Sequence, residues 1–189
     1  MSFLANIRVE SSMRGKMTLP NGCNIDCIYL SRSVTSPIGW LHAVRRPAHS
    51  PDPTQKKMYE FHEQSFLDMF ANEVINSGEH FEVAAAAPSS HPFSERYKDV
   101  VLSNLSCIDI SDRFNRIGES AASTVSSFDE FSGEFEYQPS SDENNFNSVL
   151  IIDDVLGRGN TALHIIQLLT KFGVPDHAKF LLAASLWPR

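Results

Sequence analysis

Apolar and polar positions follow different spacings along this chain, and each spacing predicts a different element. Val149-Leu150-Ile151-Ile152 is a continuous, largely β-branched run that ends in Asp153-Asp154. Such a run predicts a strand buried on both faces, as in a parallel sheet. The glycines and polar residues that follow, Gly157-Arg158-Gly159-Asn160, predict a turn. Ala162, Ile165, Ile166 and Leu169 then fall at i, i+3, i+4 and i+7, one face of a helix. Lys171 sits in its last turn, Gly173 can cap it, and Pro175 lies beyond. The unit is strand, acidic tip, glycine loop, helix.

Other segments carry weaker versions of these patterns. Phe81 to Ala87 predicts a second buried strand: alanine is a poor strand former, but Gly78 and Pro88 leave little room for a helix. Phe180 to Trp187 predicts a third. Phe66, Met69, Phe70 and Val74 form an apolar stripe in a helix expected over residues 55–76 and ended by Gly78. Lys98 to Leu105 can form a short helix. Phe3 to Val9 and Cys27 to Leu30 read as strands, with Leu19-Pro20-Asn21-Gly22 as a turn between them. Prolines mark residues 45–55 as a loop.

Residues 126–148 are rich in Ser, Asp, Glu and Asn and read as a linker or mobile loop, although Phe131, Phe135 and Tyr137 allow a hairpin arm. Mobility is expected from about Ser111 to Asn147. Strands alternating with helices predict an α/β fold: a mostly parallel sheet flanked by helices. A small N-terminal β appendage (residues 1–44) precedes a core over residues 55–189, within one domain.

Composition adds limits. A chain of 189 residues is one domain's worth and can bury a real core. Its net charge of −7 argues against broad nucleic-acid binding or a polybasic membrane contact. No apolar run reaches transmembrane length, and no secretion signal is read at the N-terminus. The three cysteines, Cys23, Cys27 and Cys107, fit reduced thiols in a cytoplasmic protein. Cys23 and Cys27 invite a zinc reading, but a structural zinc site wants a second ligand pair, and none lies nearby.

The strongest chemistry lies in the glycine loop. Backbone N–H groups at a helix N-terminus favour a phosphate through free donors and the helix dipole. Gly157 and Gly159 allow close approach and unusual dihedrals, and Thr161 adds a hydroxyl. A side chain at Gly159 would enter the phosphate's space or forbid a positive φ. Its cost to the fold is expected to be smaller, because the loop lies at the surface end of the sheet. Asp153 and Asp154 can accept hydrogen bonds from ribose hydroxyls or face a magnesium ion.

Val149 to Thr161 resembles the signature of the type I phosphoribosyltransferases: an apolar strand, two acidic residues, two apolar residues, then a short loop rich in small residues. Gly157 stands where that family usually has a small polar residue or alanine, and Arg158 and Asn160 are bulkier than its commonest loop residues. The resemblance implies binding of 5-phosphoribosyl-1-diphosphate (PRPP) with Mg2+. Asp153 and Asp154 would then face the ribose and metal, with Val155 and Leu156 leading into a 5-phosphate loop of Gly157, Arg158, Gly159, Asn160 and Thr161.

The family's pyrophosphate loop follows an earlier strand, which makes Ser89, Ser90 and Arg96 candidate contacts. An ordinary strand-to-helix connection capped by serine reads the same residues equally well. Arg113 and Arg116 resemble, over a short stretch, the competence-associated (ComF-like) branch, where they would lie in a loop closing over the diphosphate. Two solvated arginines is the plainer alternative. Trp187, at the end of the last strand, is a candidate for base stacking or for plain edge packing.

Two rivals for the acidic strand fall away on context. A receiver domain needs roughly 100 further residues after its acidic pair, and only 35 follow Asp154 in this chain of 189. A Walker B strand needs a GxxxxGK[ST] loop upstream, and none is present. The resemblance implies transfer of a phosphoribosyl group from PRPP to a nitrogen acceptor with release of pyrophosphate. Its alternatives are a non-catalytic PRPP or nucleotide sensor and an interaction subunit on the same fold. The acceptor is not legible, and a second copy of the chain is left open as a partner.

Overall fold

The computed structural model describes residues 12–30, 53, 67–68, 71–89, 92–118, 128, 134–155 and 157–186. Its centre is a six-stranded sheet ordered β1-β2-β8-β7-β3-β4. The strands are β1 (Ser12–Thr18), β2 (Asn24–Leu30), β3 (Val83–Ala86), β4 (Ile108–Asp109), β7 (Ser148–Val155) and β8 (Lys179–Leu186). Every neighbouring pair is parallel except β1 with β2. A separate antiparallel pair joins β5 (Phe114–Arg116) to β6 (Phe135–Tyr137). Helix α1 (Pro92–Leu102) follows β3, and α2 (Asn160–Lys171) follows β7. The α/β class expected from the pattern is the observed one.

β7 shows why a continuous apolar run becomes a central strand. Successive side chains point to opposite faces, so each face needs its own apolar residues. Val149 and Ile151 join the core under α2, while Leu150 and Ile152 join the core under α1. All four are essentially inaccessible, which is worth roughly 1.5–3 kcal/mol apiece. β3 achieves the same burial with alanines, at 0 to 7% exposure for Val83 to Ala86. Ala84 and Ala86 share their core with the buried Tyr97 ring of α1, while Ala85 faces the core under α2.

The N-terminal hairpin is fused to this sheet. β1 and β2 pair from Thr18↔Asn24 outward, around the turn read from Leu19 to Gly22. β2 then pairs in parallel with β8, Asp26 to Leu181 through Tyr29 to Ala184. Cys27 is buried in β2; burial, then the charge of Asp26, pushes its thiol up to about 11.

Two expectations need correction. The helix expected from Lys98 to Leu105 instead runs from Pro92 to Leu102, because proline suits the first turn of a helix. Of the stripe expected before Gly78, Val74 is buried, as are its described neighbours Leu67 and Ala71; Phe66, Met69 and Phe70 lie outside the described residues, as do Phe3 to Val9. The expected mobile stretch from Ser111 to Asn147 is structured where it is described, at residues 111–118 and 134–147. Phe114, Phe135, Tyr137 and Phe146 are 4 to 5% exposed and belong to the core beneath α2. Phe135 and Tyr137, which allowed a hairpin arm, form β6 of the antiparallel pair, whereas the polar composition concealed Phe114 and Phe146. Among the described residues, no helix is long and apolar enough to cross a membrane.

Candidate functional site

β3 and β7 lie side by side at the centre of the sheet, and the chain leaves them in opposite directions. From β3 it crosses through α1 to β4 on one flank; from β7 it crosses through α2 to β8 on the other. The two helices pack on opposite faces, each within its own core cluster. The C-terminal ends of strands at such a reversal are where open α/β sheets bind ligands. Both predicted loops emerge there.

The first is the glycine loop. Asp153 is half-buried at the end of β7 and pairs in register with Ala184. Gly157 and Arg158 are exposed, whereas Gly159, Asn160 and Thr161 are buried. Gly159 precedes α2 in a left-handed conformation, φ 80 and ψ 11. This is the positive φ expected of the loop, and it favours glycine. Its carbonyl accepts the first helical bond, from Leu163 N–H at 2.9 Å. The N–H groups just beyond it belong to the first turn and have no acceptor within the helix. Asn160 is 4% exposed, and among the described residues its Nδ2 has no hydrogen-bond partner. A buried amide donor left unmatched is costly unless something occupies it.

The space around the two glycines differs from expectation. A Cβ on Gly157 would meet nothing within 4 Å. A Cβ on Gly159 would lie 2.9 Å from Leu19 Cδ2 and 3.0 Å from Met17 Cε. The side-chain space at Gly159 is therefore filled by the N-terminal hairpin. A substituent there would press on the ends of the Leu19 and Met17 side chains, so the fold bears part of a cost that the sequence assigns mainly to the ligand.

The second loop follows β3. Ala86, Ala87, Pro88 and Ser89 line a cavity of about 250 Å³ together with Glu95, Lys98, Asp109, Ser111, Asp112 and Phe114. Ser111 Oγ accepts from Ala86 N–H at 2.9 Å, and Ser111 N–H donates to Asp109 Oδ1 at 2.9 Å. Ser89 lies on this wall and shares a hydroxyl hydrogen bond with Ser94 at 3.0 Å. Lys98 Nζ sits 2.9 Å from Glu95 Oε2. Burial lowers the Lys98 ammonium, but Glu95, Asp109 and Asp99 outweigh it and raise it overall. Arg96 is an exposed residue of α1 and does not line the cavity. Among the described lining residues, three carboxylates stand against one ammonium, so a pyrophosphate beside them would need cations.

The arginines lie apart from that wall. Arg113 Nη1 is 3.0 Å from Glu143 Oε1 and 3.6 Å from Asp142 Oδ1, and it also donates to Ser140 Oγ at 3.0 Å. Glu143 is 1% exposed and accepts from Tyr137 OH at 2.9 Å and from Ser140 N–H. Burial alone would raise its carboxyl; these donors and the Arg113 charge outweigh burial and hold it below the ordinary value. Burial above all pushes the Tyr137 hydroxyl up to about 12. Arg113 is thus engaged in tying the β5–β6 pair down. Arg116 is exposed at the end of β5, its Nε donating to Gly118 O at 3.1 Å.

His164 links α2 to the same pair. It is 6% exposed, its Nε2 lies 3.2 Å from Phe135 O, and its ring centroid is 5.6 Å from that of Phe135. Burial, the largest influence, keeps it below the ordinary histidine value. Neither Glu143 nor His164 carried a signal in the sequence: one sits in a linker-like stretch, the other off the apolar stripe of its helix.

No family model matches the chain, and no curated protein matches it in sequence. Its likeness is to solved structures. One is a hypoxanthine phosphoribosyltransferase from Staphylococcus aureus, 18% identical with a TM-score of 0.40. That match covers 66% of this chain but only 62% of the bacterial one. Another is an adenine phosphoribosyltransferase from Leishmania tarentolae, 14% identical with a TM-score of 0.44, covering 84% of this chain and 91% of that one.

Of the other sequence-predicted site residues, Ser90, Leu156 and Trp187 lie outside the described residues, as do the side chains of Asp154 and Val155. Among the described residues no three of His, Cys, Asp and Glu form a metal-binding group.

Proposed function

We propose that this chain binds PRPP with Mg2+ and transfers the phosphoribosyl group to a nitrogen acceptor, releasing pyrophosphate. The observation that carries this reading is the start of α2. A left-handed glycine, first-turn N–H groups that the helix itself cannot pair and the buried Nδ2 of Asn160, unmatched among the described residues, come together after a central strand that carries Asp153 near its end. Donors without acceptors suit a phosphate, and the half-buried Asp153 suits ribose hydroxyls.

The bond from the anomeric carbon to the pyrophosphate oxygen would break as the bond to the acceptor nitrogen forms. Asp153 and Asp154 would hold the ribose and favour the positive charge developing on its ring. The loop from Gly157 to Thr161 would fix the 5-phosphate and so orient the reacting carbon. Their oxygens are the donor type Mg2+ takes, and the ion would supply charge to the departing pyrophosphate. The acidic wall beside Ser89 gives a second reason for such an ion.

A second reading, binding without turnover, is favoured by one observation. Arg113, expected to neutralise the leaving group, is held by the buried Glu143. Calorimetric titration of PRPP with and without Mg2+ tests the proposal first. Absence of binding removes both readings. Binding followed by pyrophosphate release with one of a panel of purine and pyrimidine acceptors selects the enzyme, and binding without release selects the sensor.

A further inference from the structure

Among the described residues, the two glycines of the loop meet different surroundings. Gly157 is exposed and open around its Cα, while two residues later Gly159 is buried with its missing side chain replaced by Leu19 and Met17. Met17 is 0% and Leu19 4% exposed. Both come from the N-terminal hairpin, remote in sequence from the loop. Leu19 is itself pinned, its N–H donating to Cys23 O at 2.8 Å and its carbonyl accepting from Gly22 N–H at 2.9 Å. Gly22 makes that turn with φ +85. A rigid turn thus presses an apolar side chain against the backbone of the residue whose φ decides where the N–H groups at the head of α2 point.

We propose that Met17 and Leu19 are positioning residues of the glycine loop: they brace Gly159 in its left-handed turn and so pre-organise the first-turn N–H groups of α2 for a phosphate. The proposal rests on the PRPP reading for its ligand, but the brace itself does not. Glycine without a brace exchanges readily between positive and negative φ, and each flip swings the neighbouring peptide groups. A phosphate that must gather several donors then bears the cost of ordering them, so affinity falls. The hairpin thereby belongs to the site without touching the ligand.

The test compares Leu19→Ala and Met17→Ala with Ile28→Ala. Ile28 is equally buried and lies in the same hairpin, but in the core on the opposite face of the sheet. Amide hydrogen exchange at Leu163, whose N–H bonds Gly159 O, reads the brace without any ligand. We expect exchange on the order of tenfold faster in both brace variants and unchanged in Ile28→Ala, with PRPP affinity in Mg2+ weakened by a similar factor. Met17→Leu should restore both readouts, and it keeps the test open if an alanine variant fails to fold.

Parent-like exchange in the brace variants, or equally fast exchange in Ile28→Ala, overturns the proposal. Faster exchange with unaltered PRPP affinity overturns its functional half. Should the parent not bind PRPP, the functional reading above falls, while the exchange data still decide the brace.

Discussion

Replacing Glu143 by alanine tests whether Arg113 serves the fold. The change removes one buried carboxylate, takes the acceptor from the Tyr137 hydroxyl and the Ser140 N–H, and leaves the Arg113 guanidinium with only Ser140 Oγ and Asp142 of the partners named above. Breaking a buried ion pair by deleting one partner costs about 3–5 kcal/mol. The Arg113 side chain is 23% exposed, so water recovers part of its solvation, and the low end of about 3 kcal/mol applies. For a chain of this size each kcal/mol moves the melting temperature by roughly 2–4 °C, giving a fall of about 6–12 °C.

Glu143→Gln keeps the volume and an acceptor and should cost about half as much. Arg113→Ala with Glu143→Ala together should cost less than the two singly, because they share one interaction. The carboxyl is held below its ordinary value when folded, so the unfolded chain binds the proton more readily. This share of stability is present above the ordinary glutamate value of about 4.3 and is lost as pH falls through the folded value. Thermal melts of the four proteins across this acid range are the assay. A Glu143→Ala protein that melts within about 2 °C of the parent would refute the network and return Arg113 to the candidate catalytic groups.

Other outcomes follow from the same geometry. Gly159→Ala should lose about 1–2 kcal/mol to its left-handed φ and about 1–3 kcal/mol to overpacking against Met17 and Leu19, while Gly157→Ala should stay within about 0.5 kcal/mol of the parent; equal urea midpoints for the two would contradict the contacts. Asp153→Asn should weaken PRPP roughly tenfold or more, the worth of a charge-assisted hydrogen bond; unchanged calorimetric affinity would remove Asp153 from the site. His164 is kept neutral by burial, so the unfolded chain takes its proton first and stability falls as pH drops below about 6.5. His164→Leu should flatten the melting temperature against pH between about 6.5 and 5, and a slope identical to the parent's would show that the imidazole does not titrate there.

The chain alone determined the parts governed by local pattern. Val149 to Ile152 could only be a strand covered on both faces, because four consecutive apolar residues leave no face for water. Gly173 and Pro175 had to end α2, and the turn from Leu19 to Gly22 had to join two strands, since each residue type permits few backbone conformations. The acidic strand tip and the glycine loop were readable for the same reason.

Other features were decided only by contacts between residues distant in the chain. Nothing near Gly159 in sequence shows that Met17 and Leu19 fill the space beside it. Arg113 and Glu143 are separated by thirty residues of largely polar sequence, where composition suggested solvent and mobility. Four scattered aromatics anchor the described parts of that stretch, because apolar area buried against a core outweighs a polar average. Charge pairing and steric fit act through space, and a linear pattern records only the neighbours along the chain.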